Sequence, residues 1–375
     1  LSPAVGMAAG TSLSRLTGLG RTVLLASVLG VTALGDAYNV ANTVPNIVFQ
    51  LAAGGVLSAA VVPLLARSAS EEERRDTAGV LLGTLTVVGI VCSLLLLVGA
   101  PFVVRLLTAG GRNLPDHDAV VRTGTAWLRT FAPQVALYTV SVLATAIMAG
   151  RHRLTLGAFA PVSTNLLTVV GVLAFAAMVG GPVRIDAVGK GPIAVLGWAT
   201  TAGVATMALV QLWGAVRAEP GMRPRMALRH PAIRQLRRVG GWVLLYVAVN
   251  QLGLAAVVVL AGTVEGGVSA YQWAFALMQL PYAIVAVSVV SAAFPRIADA
   301  AAQRPDVTTE VARPLRRMLF LLLPAAMGLA VLALPAARTV VGRSGSALVA
   351  AAIGGFALSL VPFSMYQLLT RTSYA

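Results

Sequence analysis

Two arginines stand in a stretch that is otherwise apolar enough to enter a lipid bilayer. Arg15 and Arg21 occupy the segment SLSRLTGLGR, six residues apart. On insertion scales each arginine costs about 2.5–3.5 kcal/mol at mid-membrane, so both are expected to face a wet cavity or an anion. Six positions on an ideal helix turn through about 600°, which does not put the two on one face. Gly18 and Gly20 lie between them and are expected to permit a break that re-aims the pair. The competing reading places one or both near a helix end, snorkelling to headgroups.

A second polar feature follows directly. Asp36, Asn39, Thr43, Asn46 and Gln50 are spaced 3, 4, 3 and 4 apart, which keeps all five on one helical face. Pro45 interrupts the stripe and is expected to bend the helix. A face this continuous suits water or a hydrophilic ligand, and interhelical hydrogen bonding is the alternative. Further along, Arg129 with Gln134 and Tyr138 offers a third cation and hydrogen-bonding groups, with packing an equal reading. Gln272 and Gln279, seven apart, repeat the polar face weakly. Ser163, Thr164 and Asn165 read as packing contacts.

The absences narrow the chemistry. Of 13 acidic residues only Asp36 belongs to an apolar run, near its end. A proton relay or a pump for cationic drugs is expected to carry deep carboxylates, so the buried positive charge points to an anionic substrate. It also argues mildly for dependence on membrane potential over a buried proton relay. His117, His152 and His230 fall in connections without metal-ligand spacing, Cys92 is the single cysteine, and no phosphate-cradling glycine loop occurs. The expectation is a non-enzyme with no cofactor and no metal.

The elements that must position these residues are helices in a membrane. The 375 residues are 58% hydrophobic and 11% charged, with a mean hydropathy of +0.84. Soluble domains run about 45–50% apolar and about 25% charged, which excludes an ordinary water-soluble enzyme. The net charge of +15 would suggest nucleic acid in a soluble protein, but no run interleaves aromatic and basic residues as a stacking platform does. Ten apolar runs are long enough to span, at 5–30, 36–66, 78–107, 120–149, 154–180, 191–216, 235–262, 267–295, 315–341 and 346–370. The chain is therefore read as an all-α, polytopic membrane protein. With the N-terminus in the cytoplasm, 18 of the 28 basic residues lie inside and seven outside, the asymmetry of the positive-inside rule. Seven of the 18 fall in 217–238, read as a basic cytoplasmic linker touching anionic headgroups.

An internal repeat divides the chain. Ala37-Tyr38, Ser58-Ala59-Ala60 and Pro63 recur as Ala270-Tyr271, Ser291-Ala292-Ala293 and Pro295, offset by about 233 residues. Six crossings separate the matched helices, so the halves share one orientation, as in transporters with parallel repeats. The expected division is an N-terminal six-helix lobe at 1–218, a basic linker at 219–234, and the first four helices of an incomplete second lobe at 235–375. The lack of partners for helices five and six, and of an initiator Met, leads to the expectation of a fragment.

The same residues resemble the MurJ (MviN) lipid II flippase family, within the multidrug/oligosaccharidyl-lipid/polysaccharide exporter superfamily. The resemblance is carried by SRLTGLGR at 14–21 and GDAYNVANTVPNIVFQLAAGGVLSAAVVPLL at 35–65. It continues in FAPQVALYTVSVLATAIMAGRHR at 131–153, FAPVSTNLL at 159–167 and ALMQLPYAIVAVSVVSAAFPRIA at 276–298. It implies fourteen helices in two pseudo-repeated lobes plus two extra helices, of which about ten are present. The implied cargo is lipid II, the undecaprenyl-pyrophosphate-linked peptidoglycan precursor, moved outward across the bacterial cytoplasmic membrane by alternating access. Arg15 and Arg21 match the family's cationic pair for the pyrophosphate, Asp36 matches a family acid, and Asn46 belongs to its Pro-Asn motif. The chain departs from the family at Phe49 and Gln50, and at Ala276, where arginines are common. The implied substrate-binding set is Arg15, Arg21, Asp36, Asn39, Asn46, Arg129 and Gln279, with Gly18, Gly20 and Pro45 as hinges or helix breaks. Partners are lipid II, membrane lipids and cell-wall synthesis proteins, with no nucleic acid. The alternatives are a flippase for another polyprenyl-linked glycan, a drug antiporter of the same superfamily, and a non-transporting scaffold for cell-wall enzymes.

Overall fold

The computed structural model describes residues 3–51, 61, 64–65, 70–151, 153, 155–181, 184–303 and 308–372. Among them there is no β-strand, and the helices group into ten rods. These are α1 (Pro3–Leu29), α2 (Ala33–Leu51), α3 (Glu71–Leu107), and α4, in which His117–Phe131 is followed by Gln134–Gly150. Next come α5 (Thr155–Phe159 and Pro161–Val179), α6 (Lys190–Ala218) and α7 (Pro231–Ala261). The last three are α8 (Gly267–Pro281 and Val287–Gln303), α9 (Thr308–Val331 and Ala333–Val341) and α10 (Ser346–Thr372). The rods follow the ten expected apolar runs. Of the repeat signature, Ser58, Ala59, Ala60 and Pro63 lie outside the described residues.

Seven segments are long and apolar enough to cross a membrane: Glu71–Leu107, His117–Gly150, Thr155–Val179, Lys190–Ala218, Gly267–Phe294, Thr308–Val331 and Ser346–Thr370. The rod α7 contributes a shorter apolar stretch, Val247–Ala261. The rods α1 and α2 are not among the seven, and the reason is the feature that makes them interesting. Arg15 and Arg21 lower the hydropathy of α1, and Asp36, Asn39, Asn42, Asn46 and Gln50 lower that of α2.

Proline placement explains the interruptions. Pro133 follows the first part of α4, and Pro281 precedes a π-helical turn at Tyr282–Ala286 inside α8. A proline has no N–H for the preceding turn, and a widened turn absorbs the mismatch. By contrast α1 runs unbroken through Gly18 and Gly20, and α2 runs unbroken through Pro45.

The chain divides into two compact units, one of residues 1–29 and 33–265, the other of 30–32 and 266–375. The first has a core of Leu65, Leu81, Leu143, Ile147, Met148 and Ala215 with their neighbours. In the second, Met278, Val290, Ile297, Met318, Leu322 and Leu360 pack together. Around these cores the usual rule for exposure is inverted. Val98 and Phe102 on α3 are 80% and 71% exposed, as expected of surfaces that face lipid, where apolar contact with a neighbouring helix brings no hydrophobic gain.

The helix α3 is about 55 Å long by its 37 residues, against a hydrocarbon core of about 30 Å, so it projects beyond the bilayer. Ser70 caps it by accepting from the Glu73 N–H at 3.1 Å, and Glu71, Glu72 and Glu73 fill the first turn, where negative charge suits the helix dipole. The projecting turns receive the basic segment after α6. The Arg225 N–H donates to the Gly79 carbonyl at 3.2 Å, and the Ala227 N–H donates to Thr84 Oγ1 at 3.1 Å. Arg225 Nη2 grips both oxygens of Asp76 at 2.6 and 2.9 Å, and His230 Nε2 reaches the same carboxylate at 3.2 Å. Gly79 and Gly83, four apart on one face of α3, make this possible. A Cβ at Gly83 would lie 2.5 Å from Arg225 backbone N and O.

Beside this strap, Glu219 is 2% exposed. Its carboxylate accepts from Arg74 Nε at 3.0 Å and from Arg151 Nε and Nη2 at 2.7 and 3.0 Å. Arg151 also pairs with Glu71, so the ends of α3, α4 and α6 meet in one ionic cluster. The Glu219 and Glu71 carboxylates hold the Arg151 guanidinium above its ordinary range, which keeps it charged.

Placing Val at Gly83 has no room without moving backbone, and the expected destabilisation is about 1–3 kcal/mol. In detergent, the Gly83→Val protein should be cut by trypsin after Arg225 and Arg229 at least tenfold faster than the parent. Equal cleavage rates would mean that the strap is not held by this contact.

Candidate functional site

The first unit gathers most of the candidate residues, and α1 is the element that carries the charge. Its position is set by α5. Asn165, 6% exposed, donates from Nδ2 to the Ser14 carbonyl and to Thr17 Oγ1, both at 3.0 Å. Gly18 gives the amide room, since a Cβ there would lie 3.4 Å from Asn165 Nδ2. Gly20 has nothing within 4 Å of a Cβ. The two glycines therefore differ: one is a contact and the other is open.

Because α1 is continuous, Arg15 and Arg21 do not share a face. Arg15 is exposed, and Arg21 is half-buried. The Arg21 Nε is buried with no hydrogen-bond partner, and among the described residues no carboxylate pairs with either arginine. A guanidinium without a carboxylate keeps donor capacity for an incoming anion, and phosphate oxygens match its fork geometry. The same unit buries two tyrosines, Tyr38 of α2 and Tyr138 of α4.

Both tyrosines are firmly seated. Tyr38 is 2% exposed, stands edge-on to Trp127 and Phe131 with centroids at 5.4 and 5.7 Å, and shares a hydrogen with Thr200 Oγ1 at 3.3 Å. Tyr138 packs against Phe49 at 4.7 Å. Phe49 is one of the positions at which the sequence departs from the resembled family, and here it supplies an aromatic wall beside Tyr138.

The polar face of α2 is graded. Asp36 and Thr43 are buried, Asn39 and Asn46 are half-buried, and Gln50 is exposed. Thr43 Oγ1 donates to the Asn39 carbonyl at 2.8 Å, and Asn46 Nδ2 to the Asn42 carbonyl at 2.7 Å. Gln50 Oε1 accepts from Gln251 Nε2 of α7 at 3.3 Å. Arg129 is exposed and has no ion pair among the described residues. Gln279 is half-buried in α8 and belongs to the second unit, which is described separately. Ser163 and Thr164 bond to backbone, Thr164 Oγ1 reaching the Gly203 carbonyl at 3.0 Å.

Three polar residues of α6 were not singled out from the sequence. Thr200 bonds Tyr38, Thr201 Oγ1 accepts from Gln134 Nε2 at 2.9 Å, and Gln211 bonds Ser141. Their signal was present: Gln134 and Ser141 are seven apart on α4, one face of a helix. Glu219 lies outside the apolar runs of the sequence yet is buried, because the folded chain brings Arg74 and Arg151 onto it.

With this arrangement in view, the chain can be compared with known proteins. The family profile described as "Lipid II flippase MurJ" matches residues 25–375. The chain belongs to this family. A relative from Burkholderia cenocepacia, named lipid II flippase MurJ, is 27% identical over 97% of this chain and 71% of its own length. One from Rhizobium meliloti, named a probable lipid II flippase MurJ, is 30% identical over 88% of this chain and 61% of its own. The chain thus spans about two thirds of these MurJ relatives. Among solved structures, an inward-facing MATE-family multidrug resistance transporter of the MOP superfamily superposes with a TM-score of 0.69 at 15% identity. It covers 96% of this chain and 82% of that one. A MOP superfamily transporter from Pyrococcus furiosus gives a TM-score of 0.60 at 17% identity, over 99% of this chain and 82% of that one. At such identities the likeness concerns the fold.

Asn165→Ala in this MurJ-family chain removes two hydrogen bonds from the middle of α1. The expected loss is about 1–3 kcal/mol, at roughly 1 kcal/mol per bond. The check is thermal unfolding in detergent, together with faster labelling of a cysteine introduced at Leu19. An unchanged midpoint with unchanged labelling would show that α1 is held elsewhere.

Proposed function

We propose that the intact protein is a lipid II flippase of the bacterial cytoplasmic membrane, working by alternating access with its N-terminus in the cytoplasm. The observation that carries this reading is Arg21. It is a half-buried arginine whose Nε lies buried without a hydrogen-bond partner, and no described carboxylate pairs with it. Membership of the MurJ family supports the substrate.

In this reading Arg21 and Arg15 draw the pyrophosphate from the inner leaflet. Six residues of helix separate them by a rise of about 9 Å and leave them on different faces of α1, so Arg21 makes the first contact and Arg15 joins it as the helix bends. Asn39 and Asn46 of α2 hydrate the sugar-peptide head, and Asp36 sets the polarity at the start of that helix. Arg129 adds positive charge in the same unit, and Gln279 is a further polar candidate on α8. The polyprenyl tail stays in lipid throughout. Gly20 and Pro45 are the positions at which such a cycle would bend helices that are continuous here, since Gly18 is occupied by its contact with Asn165. The expected lobes at 1–218 and 235–375, joined by the basic segment, are the bodies whose rocking exposes the head to either side, and cell-wall synthesis proteins receive the product. No residue is assigned a catalytic role.

The test uses the full-length protein in proteoliposomes with labelled lipid II. Arg21→Gln and Arg15→Gln should each lower translocation at least tenfold while leaving the melting temperature within about 3 °C. Arg122→Gln, which removes only an exposed pair with Asp186, should translocate as the parent does. Parent-like translocation by both first-helix variants would overturn the assignment.

A further inference from the structure

The second unit contains a cleft that the proposed transport does not use. It lies between the end of α8 and the start of α9 and has a volume of about 550 Å³, within the range of about 300–1,000 Å³ typical of small-molecule sites. It extends along α8 from Ser288 to Gln303, a rise of about 22 Å. That length is more than a soluble metabolite needs, and it runs from a helix end into the depth of the bilayer.

The lining changes character along its length. Val289, Ala292 and Ala293 make an apolar wall deep in the cleft, just beyond the π-helical turn of α8. The mouth is charged with both signs: Asp299 on α8, and Glu310, Arg313 and Arg317 on α9. Arg313 and Arg317 are four residues apart, on one face of α9 and about 6 Å apart in rise. Both arginines and Asp299 are exposed. None of the three makes an ion pair or hydrogen bond among the described residues. Two guanidinium groups at this spacing are a fork for a phosphate diester, and a free carboxylate nearby is the complement of an ammonium.

We propose that this cleft binds an amphiphile with a phosphoethanolamine head, a zwitterionic phospholipid of the bilayer. Its phosphate sits on Arg313 and Arg317, its ammonium on Asp299, and one acyl chain lies against Val289, Ala292 and Ala293. The distribution of arginines along the chain assigns this mouth to the cytoplasmic leaflet. The site does not depend on the transport reading, since retention of a lipid is measured without translocation.

The full-length protein, purified in mixed micelles, is offered fluorescent phosphatidylethanolamine or phosphatidylglycerol, and the retained lipid is quantified. The parent should retain the ethanolamine lipid at least fivefold better. Arg313→Gln with Arg317→Gln should lower retention of that lipid at least tenfold. Asp299→Asn should abolish the preference while leaving total retention, and so decides the matter should the double variant fail to fold. Ala293→Phe fills the apolar wall and should lower retention of the lipid. Soluble phosphoethanolamine should displace the lipid only at concentrations at least a hundredfold higher. Equal retention of the two lipids by the parent, a preference that survives Asp299→Asn, or displacement by equimolar soluble phosphoethanolamine would overturn the proposal.

Discussion

A charge inside hydrocarbon has to be compensated by a partner, by water or by a ligand, and this requirement sorts the charged residues of the chain. The described ion pairs gather at helix ends. Glu71 and Glu219 take Arg74 and Arg151, and Asp76 takes Arg225 with His230. At the other connections Asp186 takes Arg122, and Asp116 takes Arg184. The carboxylates are used where the bilayer ends, and α1 receives none of them. Arg21 keeps a buried Nε without a hydrogen-bond partner. A unit built this way keeps positive charge on α1 that no described carboxylate compensates.

Holding such an arginine in place falls to polar contacts between helices. In lipid, apolar faces gain little by meeting one another, so packing depends on close backbone approach and on hydrogen bonds. The first unit uses both. Gly203 of α6 lets the Thr164 backbone come close, and Thr164 bonds the Gly203 carbonyl. Along α4, Gln134 and Ser141 bond Thr201 and Gln211 of α6. Tyr38 then ties α2 to α6 through Thr200. These contacts fix the frame on which α5 presents Asn165, and Asn165 fixes α1.

Helix existence was legible because apolar runs of about 20 residues leave few alternatives, and the ten runs correspond to ten rods. Breaks were less legible. Pro133 and Pro281 mark interruptions, whereas Pro45 sits inside a continuous helix and Gly18 with Gly20 inside another. A proline or glycine lowers the cost of a break without requiring one, and packing decides. The docking of the basic segment onto α3 was not visible at all, although Gly79 and Gly83 are four apart. Close approach depends on which backbone arrives, and that is a tertiary fact. The polar face of α2 was right in its spacing, but burial of Asp36 and Thr43 beside exposure of Gln50 follows from neighbours that spacing cannot show.

The contrast between Gly18 and Gly20 bears on how α1 can respond to a ligand. Asn165 grips the helix at Ser14 and Thr17, on the turns that carry Arg15, and presses against Gly18. The turn that carries Arg21 begins at Gly20, where nothing stands within 4 Å of a Cβ. Under the proposed role, an anion shared by the two arginines works against a clamped turn at Arg15 and a less crowded one at Arg21, which makes Arg21 the side expected to yield.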